Sequence, residues 1–322
     1  MKKKSRGVTP LPLMIFYDLL AIGVGLIVFA LFHHVLLFRP DTEPVVLVTP
    51  APTAAPITET ENESVEALPL GDFSRQFADQ FTEGEVYSAE EYYVSDDLAI
   101  YYWKSEKDKQ IYHVAEIYVR DIHCLQTAFS CGEYFTTAKP FSEIAEGVEA
   151  VAALSGDYYL TRREGTVVRN GVLYRDTENE DVCILRLDGV MECFSAEEFD
   201  PAFLRDRGVW QAWGFGPTLV KDGAPVDNSA HALNGWHPRS AIGYAEPGHY
   251  FFVEVEGRSA YSRGMTFEEL SELFVSLGCT EAYNLDGGES ANFYWQGERR
   301  NPDLGRPVAD IIYVSENWEE KK

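Results

Sequence analysis

The sequence predicts an α+β fold, a strand-rich mixed sheet with a few helices, preceded by one transmembrane helix and a stalk. Three observations carry this. From about Tyr93 onward, apolar runs of strand length follow one another, separated by charged or glycine-containing turns. Only one segment in that region has a complete helix signature, Thr266 to Leu277. Near the N-terminus, Leu19 to Phe32 is unbroken by charge, and with Val35 to Phe38 the apolar stretch reaches about 20 residues, enough to cross a bilayer as a helix. Runs of strands with few helices fit an α+β domain better than a doubly wound sheet.

Taken in order, residues 1–10 read as a cytoplasmic tail, because Lys2, Lys3, Lys4 and Arg6 precede the span of residues 11–38. A cleaved signal peptide is the competing reading, but the apolar region is long for one and no small-residue cleavage site directly follows it. Residues 39–70 contain Thr-Pro-Ala-Pro-Thr-Ala-Ala-Pro at 49–56 and then Glu-rich, aromatic-free sequence, the composition of an extended extracellular stalk. Residues 71–109 read as an N-terminal arm and first strands, and 110–316 as the main domain. Within it, Val167 to Tyr174 forms a hairpin on Asn170-Gly171, and Val182 to Phe194 a second on Asp188-Gly189. Ser142 to Gly147 starts a short helix before the apolar run Val151 to Leu154. Thr266-Phe-Glu-Glu269 is a capping box, Phe267, Leu270, Leu273, Phe274 and Leu277 share a helical face, and Gly278 closes the helix.

The chain has 322 residues, 45% of them hydrophobic, enough for a substantial core, and a net charge of −25. Setting aside the six charged residues of positions 1–40 leaves 22 basic against 51 acidic residues. Such a surface disfavours nucleic acid as a partner, since phosphate backbones need basic footprints. The cysteine count is five, so at least one thiol is free in a monomer, and none of the spacings suits a metal. Cys124 with Cys131 is a candidate short-loop disulfide. A two-residue loop at Asp188-Gly189 pairs Ile184 with Cys193 and sends Cys183 to the other face, which argues against a Cys183–Cys193 bond unless a bulge intervenes.

The site-like stretch is Ala282-Tyr-Asn-Leu-Asp286-Gly-Gly-Glu-Ser290-Ala291, which follows the capped helix and precedes the apolar run Asn292 to Trp295. Gly287 and Gly288 permit positive φ or close approach of a ligand, although Asp-Gly-Gly is also an ordinary turn. A second glycine–acid pair, Gly156-Asp157, stands behind another buried-looking strand, followed by Tyr158 and Tyr159.

Six stretches stand in order over roughly residues 110–315: Ala153-Leu-Ser-Gly-Asp-Tyr-Tyr159, Phe215-Gly-Pro-Thr-Leu-Val220, Pro238-Arg-Ser-Ala-Ile-Gly243, Gly264-Met-Thr266, Asn284-Leu-Asp-Gly-Gly288, and Asn301-Pro302 with Arg306-Pro-Val308. In them the chain resembles the phosphodiester glycosidase family. The chain departs from the family at Ser155, where many relatives have Asn, at Glu289, where a third glycine is usual, and at Ala291, where a small hydroxyl residue is usual.

The resemblance implies hydrolysis between an anomeric carbon and a phosphate oxygen, with cell-surface polysaccharide or another sugar phosphodiester as substrate. Phosphate is already a good leaving group, so the site needs a carboxylate as nucleophile or base and cations on the phosphate. It therefore implies Asp286 and Asp157 as the catalytic acids and Arg239 and Arg306 as phosphate ligands, with Gly287, Gly288, Glu289, Ser290, Gly216 and Asn301 also contacting substrate. Ser290 has no histidine tied to it by motif, so it reads as a loop hydrogen-bonder. His231 and His237 stand on a loop before Arg239, and Trp210, Trp213, Tyr158 and Tyr159 are candidates either for stacking on sugars or for core packing. A divalent cation at the Asp157/Asp286 pair is left open, since no ligand spacing demands one. The rival readings are a non-catalytic glycan-binding or wall-assembly protein on the same fold and a phosphodiesterase cleaving the P–O bond.

Overall fold

The computed structural model describes residues 11–30, 43–47, 70–162, 164–177 and 181–316. The chain forms two units, Met1–Asp41 and Thr42–Lys322. The first contains the helix Leu11–Ala30, of which Leu11–Phe29 is long and apolar enough to cross a membrane. Residues 31–38 of the expected span, and most of the expected stalk, lie outside the described residues.

The second unit is built from three sheets, and every ladder among the described residues is antiparallel. The nine-stranded sheet has Arg239–Glu246 between Glu281–Leu285 and His249–Glu256, and continues through Gln110–Val119 and Leu98–Lys107. One face is covered by the helix Phe267–Ser276. Its Thr266 hydroxyl accepts from Glu269 N, the Glu269 carboxylate accepts from Thr266 N, and Phe267, Leu270 and Phe274 pack on Ala241, Val253 and Val255. Burying each of those phenylalanines stabilises the fold by roughly 1.5–3 kcal/mol. The other face puts Ile242, Phe252, Tyr283 and Leu285 against Leu154, Phe293 and Ile312 of the five-stranded sheet and Cys183, Leu185 and Trp213 of the six-stranded sheet.

The α+β class holds, and four local expectations change. Leu98–Lys107 pairs along its whole length with Gln110–Val119, so the expected boundary at residue 109/110 falls at the tip of a hairpin. Inside the expected stalk, Val45–Val46 pair with Leu173 and Val172 at the edge of the six-stranded sheet. The Asp188-Gly189 hairpin closes with Arg186 N donating to Val190 O, a three-residue loop rather than two, and this shifts the register by one. Cys183 therefore stands directly opposite Cys193 on the same face, both buried and both free thiols. Cys124 is buried and Cys131 exposed, and neither is bonded.

Candidate active site

Three chain segments meet where the strands Ala152–Ser155, Glu281–Leu285 and Asp310–Val314 begin or end. Asp286 N donates to Gly156 O at 3.0 Å, and Gly156 N donates to Asp310 O at 3.1 Å. The turn after Asp286 needs both glycines, each for its own reason. A Cβ on Gly287 would stand 2.7 Å from Pro238 O, inside any real contact distance. Gly288 has φ +61, left-handed backbone that side chains resist. Gly288 N donates to Pro238 O at 2.9 Å, which holds the turn against the start of the strand Arg239–Glu246.

These contacts leave a cavity of about 440 Å³, lined by Asp286, Gly287, Gly288 and Glu289 together with Tyr158, Phe215, Asn284 and His237. That volume lies in the range typical of small-ligand sites. Four arginines also line it, Arg162, Arg239, Arg258 and Arg306, against the two carboxylates Asp286 and Glu289. In a chain of net charge −25 this is a local reversal of sign, suited to an anion. Arg306 lies with its guanidinium 4.6 Å from the centre of the Tyr158 ring, and Arg162 lies 4.7 Å from that of Phe215. The stacking orients both planar forks.

Asp286 is 8% exposed, and burial pushes its carboxyl up from 3.8 to about 6. The Ser290 hydroxyl and Arg306 pull the other way, while Asp157 and Asp310 add to the rise. A carboxylate so raised, facing an arginine-lined cavity, is poised to attack or to take a proton near neutral pH.

Asp157 is placed differently. It is 4% exposed and lies behind the cavity wall, where its Oδ1 accepts from Tyr158 N at 2.7 Å. Its Oδ2 accepts from Gly214 N at 3.1 Å and Arg169 Nη2 at 3.4 Å. Arg169 also donates through Nε to Asp310 Oδ2 at 2.8 Å, and Asp310 Oδ1 accepts from Asp157 N at 2.7 Å. The result is a fully buried triad of two carboxylates on one guanidinium. Burial, with Asp157 adding to it, pushes the Asp310 carboxyl to about 6 against the pull of Arg169. Both Asp157 oxygens face N–H donors and the side chain does not line the cavity, so Asp157 is not presented beside Asp286 to a cation there. Among the described residues no group of three or more His, Cys, Asp or Glu is arranged to hold a metal.

The other expected residues divide in the same way. Arg239 lines the cavity, but its Nε donates to Met265 O at 3.1 Å and its Nη2 to Leu233 O and Gly235 O, both at 2.8 Å. It supplies charge and braces the loop, and unlike the phosphate ligand expected it spends Nε and Nη2 on backbone carbonyls. Burial lowers its pKa to about 10, still cationic at neutral pH. Gly216 lies behind the wall, its carbonyl accepting from Asn284 Nδ2 at 2.7 Å. Ser290 is buried, and its carbonyl accepts from the Ser155 hydroxyl and from Asn292 Nδ2.

Asn301 lies apart from the cavity. Its Nδ2 donates to Glu254 Oε1 at 3.1 Å and to Ala291 O at 2.8 Å, and its Oδ1 accepts from Phe293 N at 2.9 Å. It pins the chain that follows the Asp286 turn. Asn301→Ala is expected to cost about 2–3 kcal/mol in chemical denaturation, the scale of three buried hydrogen bonds lost with their partners left unpaired. A loss below about 0.5 kcal/mol would show that the brace is unimportant.

Of the aromatic candidates only Tyr158 lines the cavity, since Tyr159, Trp210 and Trp213 are buried in the core. His237 lines it too, with its pKa lowered by burial and then by Arg239 and Arg258. His231 packs edge-on against Phe267. Arg162, Arg169, Arg258 and Asp310 were not expected from the sequence. Of these, Asp310 alone left a signal there, as a carboxylate set between Ala309 and Ile311 at the start of an apolar strand.

Fold and site together define an α+β domain with an anion-suited cavity and one buried carboxylate of raised pKa in its lining. Residues 148–315 match the sequence profile of the phosphodiester glycosidase family, and the chain belongs to that family. A curated relative, SPbeta prophage-derived uncharacterized protein YomE of Bacillus subtilis (strain 168), is 31% identical over 193 residues. The alignment covers 56% of this chain and 30% of that protein, so the chain spans less than a third of that relative's length. Among solved structures, the zebrafish N-acetylglucosamine-1-phosphodiester alpha-N-acetylglucosaminidase catalytic domain, auto-inhibited by pro-peptide, is similar with TM-score 0.55 and 18% identity, covering 72% of this chain and 88% of that one. A hypothetical protein from Synechocystis is similar with TM-score 0.54 and 13% identity, covering 72% and 64%. These two likenesses concern the fold alone.

Proposed function

We propose that the protein is a hydrolase that cleaves the glycosidic bond of sugar-1-phosphate diesters in cell-surface polysaccharide. In this reading it is anchored through the helix Leu11–Ala30, with the N-terminus cytoplasmic and the domain outside. The observation that carries the reaction is Asp286, a buried carboxylate raised to about 6 in a cavity lined by four arginines. Arg306 and Arg258 take the phosphate oxygens, and Asp286 acts on the anomeric carbon directly or through a water. The arginines neutralise the leaving phosphate, so no strong acid is required opposite Asp286. Asp157 acts as a positioning residue, holding the backbone on which Asp286 N rests. The family assignment supports the same substrate class.

The test is release of reducing sugar from a sugar-1-phosphate methyl diester in labelled water. Label in the sugar supports the reading, and label in the phosphate makes the protein a phosphodiesterase instead. Arg306→Met is expected to raise KM by about 10–100-fold with a smaller change in kcat, the scale of one charge-assisted phosphate contact. One observation favours the non-catalytic rival, namely that Asp157 is withdrawn from the cavity and leaves Asp286 as its only buried carboxylate among the described residues. Saturable glycan binding with no sugar released, from acidic to neutral pH, would establish that rival.

A further inference from the structure

The proposed reaction leaves one cavity carboxylate without a task. Glu289 stands on the short turn Gly288–Ser290, which is held by Gly288 N on Pro238 O at 2.9 Å and Ser290 N on Gly287 O at 3.0 Å. Its Oε1 accepts from Arg258 Nη1 at 3.3 Å, across the mouth of the cavity that both residues line. Arg258 is set there by packing over the turn itself, since a Cβ on Gly288 would come 3.4 Å from its Nη2. The two side chains are 45% and 57% exposed, so the pair is weak enough to open. Arg258 thus has an internal anion as its partner wherever no external anion replaces it.

We propose that Glu289 is a built-in competitor for Arg258, which keeps the phosphomonoester product from being retained in the cavity. The inference rests on the phosphodiester glycosidase reading above. In that reaction the anomeric C–O bond breaks and the phosphate oxygen leaves with the bonding pair. The oxygen of water goes to the anomeric carbon. The proton of water ends on the departing phosphate at low pH and in solvent above the second phosphate ionisation near about 6. The substrate phosphodiester therefore carries one negative charge and the product close to two at neutral pH.

Four arginines that attract a monoanion attract a dianion more strongly, so an unmoderated cluster binds its product better than its substrate. A fixed carboxylate at Arg258 works against this in two ways. It lowers the positive field in the cavity, and the doubly charged product feels that reduction about twice as strongly as the singly charged substrate. It also re-forms the Arg258 pair as the product leaves, so release does not strand a bare guanidinium. The Glu289 charge thereby favours the diester over the monoester without touching either sugar.

The experiment titrates methyl phosphate, a monoester, and dimethyl phosphate, a diester, into the full chain at neutral pH by calorimetry. Wild type is compared with Glu289→Gln, Arg258→Gln and the double variant. Glu289→Gln is expected to tighten methyl phosphate about fivefold and dimethyl phosphate about twofold or less, with both gains shrinking in high salt. In the Arg258→Gln background the same substitution is expected to tighten methyl phosphate less, because the field effect remains while no pair is left to open. Unchanged or weaker monoester binding in Glu289→Gln, with wild-type binding intact, overturns the inference while leaving the functional reading standing. Failure of wild type to bind either phosphate overturns the reading beneath it as well. Glu289 is exposed, so matching thermal melts of variant and wild type establish that both are folded in the comparison.

Discussion

Asp286→Asn is expected to abolish sugar release, by about 10²–10⁴-fold or more, and at the same time to make the protein more stable at neutral pH. The two effects share one cause. Burial raises the folded-state carboxyl from 3.8 to about 6, so the folded chain holds this proton more tightly than the unfolded chain does. Ionising Asp286 therefore costs stability in the folded state. The cost is absent below the unfolded value, grows as pH rises from about 4 to about 6, and is complete above that. A tenfold difference in proton affinity between the folded and unfolded chain is worth about 1.4 kcal/mol. The value of about 6 already includes the pull of Arg306, and burying the asparagine amide offsets part of the gain, so the expected gain at neutral pH is about 1–2 kcal/mol. Thermal melts of both proteins at matched pH give the check: the gap should close on acidification. In wild type kcat/KM should rise with pH to about 6 and then level off, as an ionised carboxylate requires. If asparagine destabilises the protein at neutral pH, Asp286 is a turn anchor, the ordinary role open to any Asp-Gly-Gly.

Residues 266–290 were the most legible part of the chain, because their signals are local. Thr266 and Glu269 cap a helix three residues apart, Gly278 ends it, and Gly287 and Gly288 mark a tight turn. Each of these is fixed by backbone chemistry that a sequence window contains. The role of Asp157 was not legible. Its motif sets it beside a strand end just as Asp286 is set, yet its Oδ2 faces Arg169, which belongs to the hairpin on Asn170-Gly171, outside every site motif. Arg162 and Arg258 reach the cavity from loops with no pattern around them, so the positive lining emerges only when the chain closes. Asn301 matched its motif and sits in the core, where it braces the turn from behind. A motif marks positions the fold depends on, whether they touch a ligand or hold what does. The Cys183/Cys193 register failed for a simpler reason: one additional loop residue moves every side chain of a strand to the opposite face.

The largest loss of stability is expected from Arg169→Met, about 3–5 kcal/mol, the scale for removing one partner of a buried ion pair. Arg169 is 2% exposed and holds two carboxylates, Asp157 through Nη2 and Asp310 through Nε. It also donates to the carbonyls of Val168 and Ala212. Methionine keeps much of the volume and deletes the charge, which leaves both acids buried and facing one another. One of them must then take up a proton, and the loss should be smaller at acidic than at neutral pH. The triple change Arg169→Met, Asp157→Asn, Asp310→Asn should recover part of the stability, because it removes the unpaired charges along with their partner. Activity should fall in the single variant although Arg169 does not line the cavity. Asp157 and Asp310 fix the chain at Gly156, and the carbonyl of Gly156 receives Asp286 N. Denaturant titrations of the three proteins at two pH values decide the matter. A loss under about 1 kcal/mol for Arg169→Met, or no recovery in the triple variant, would mean that the buried carboxylates are not held by charge.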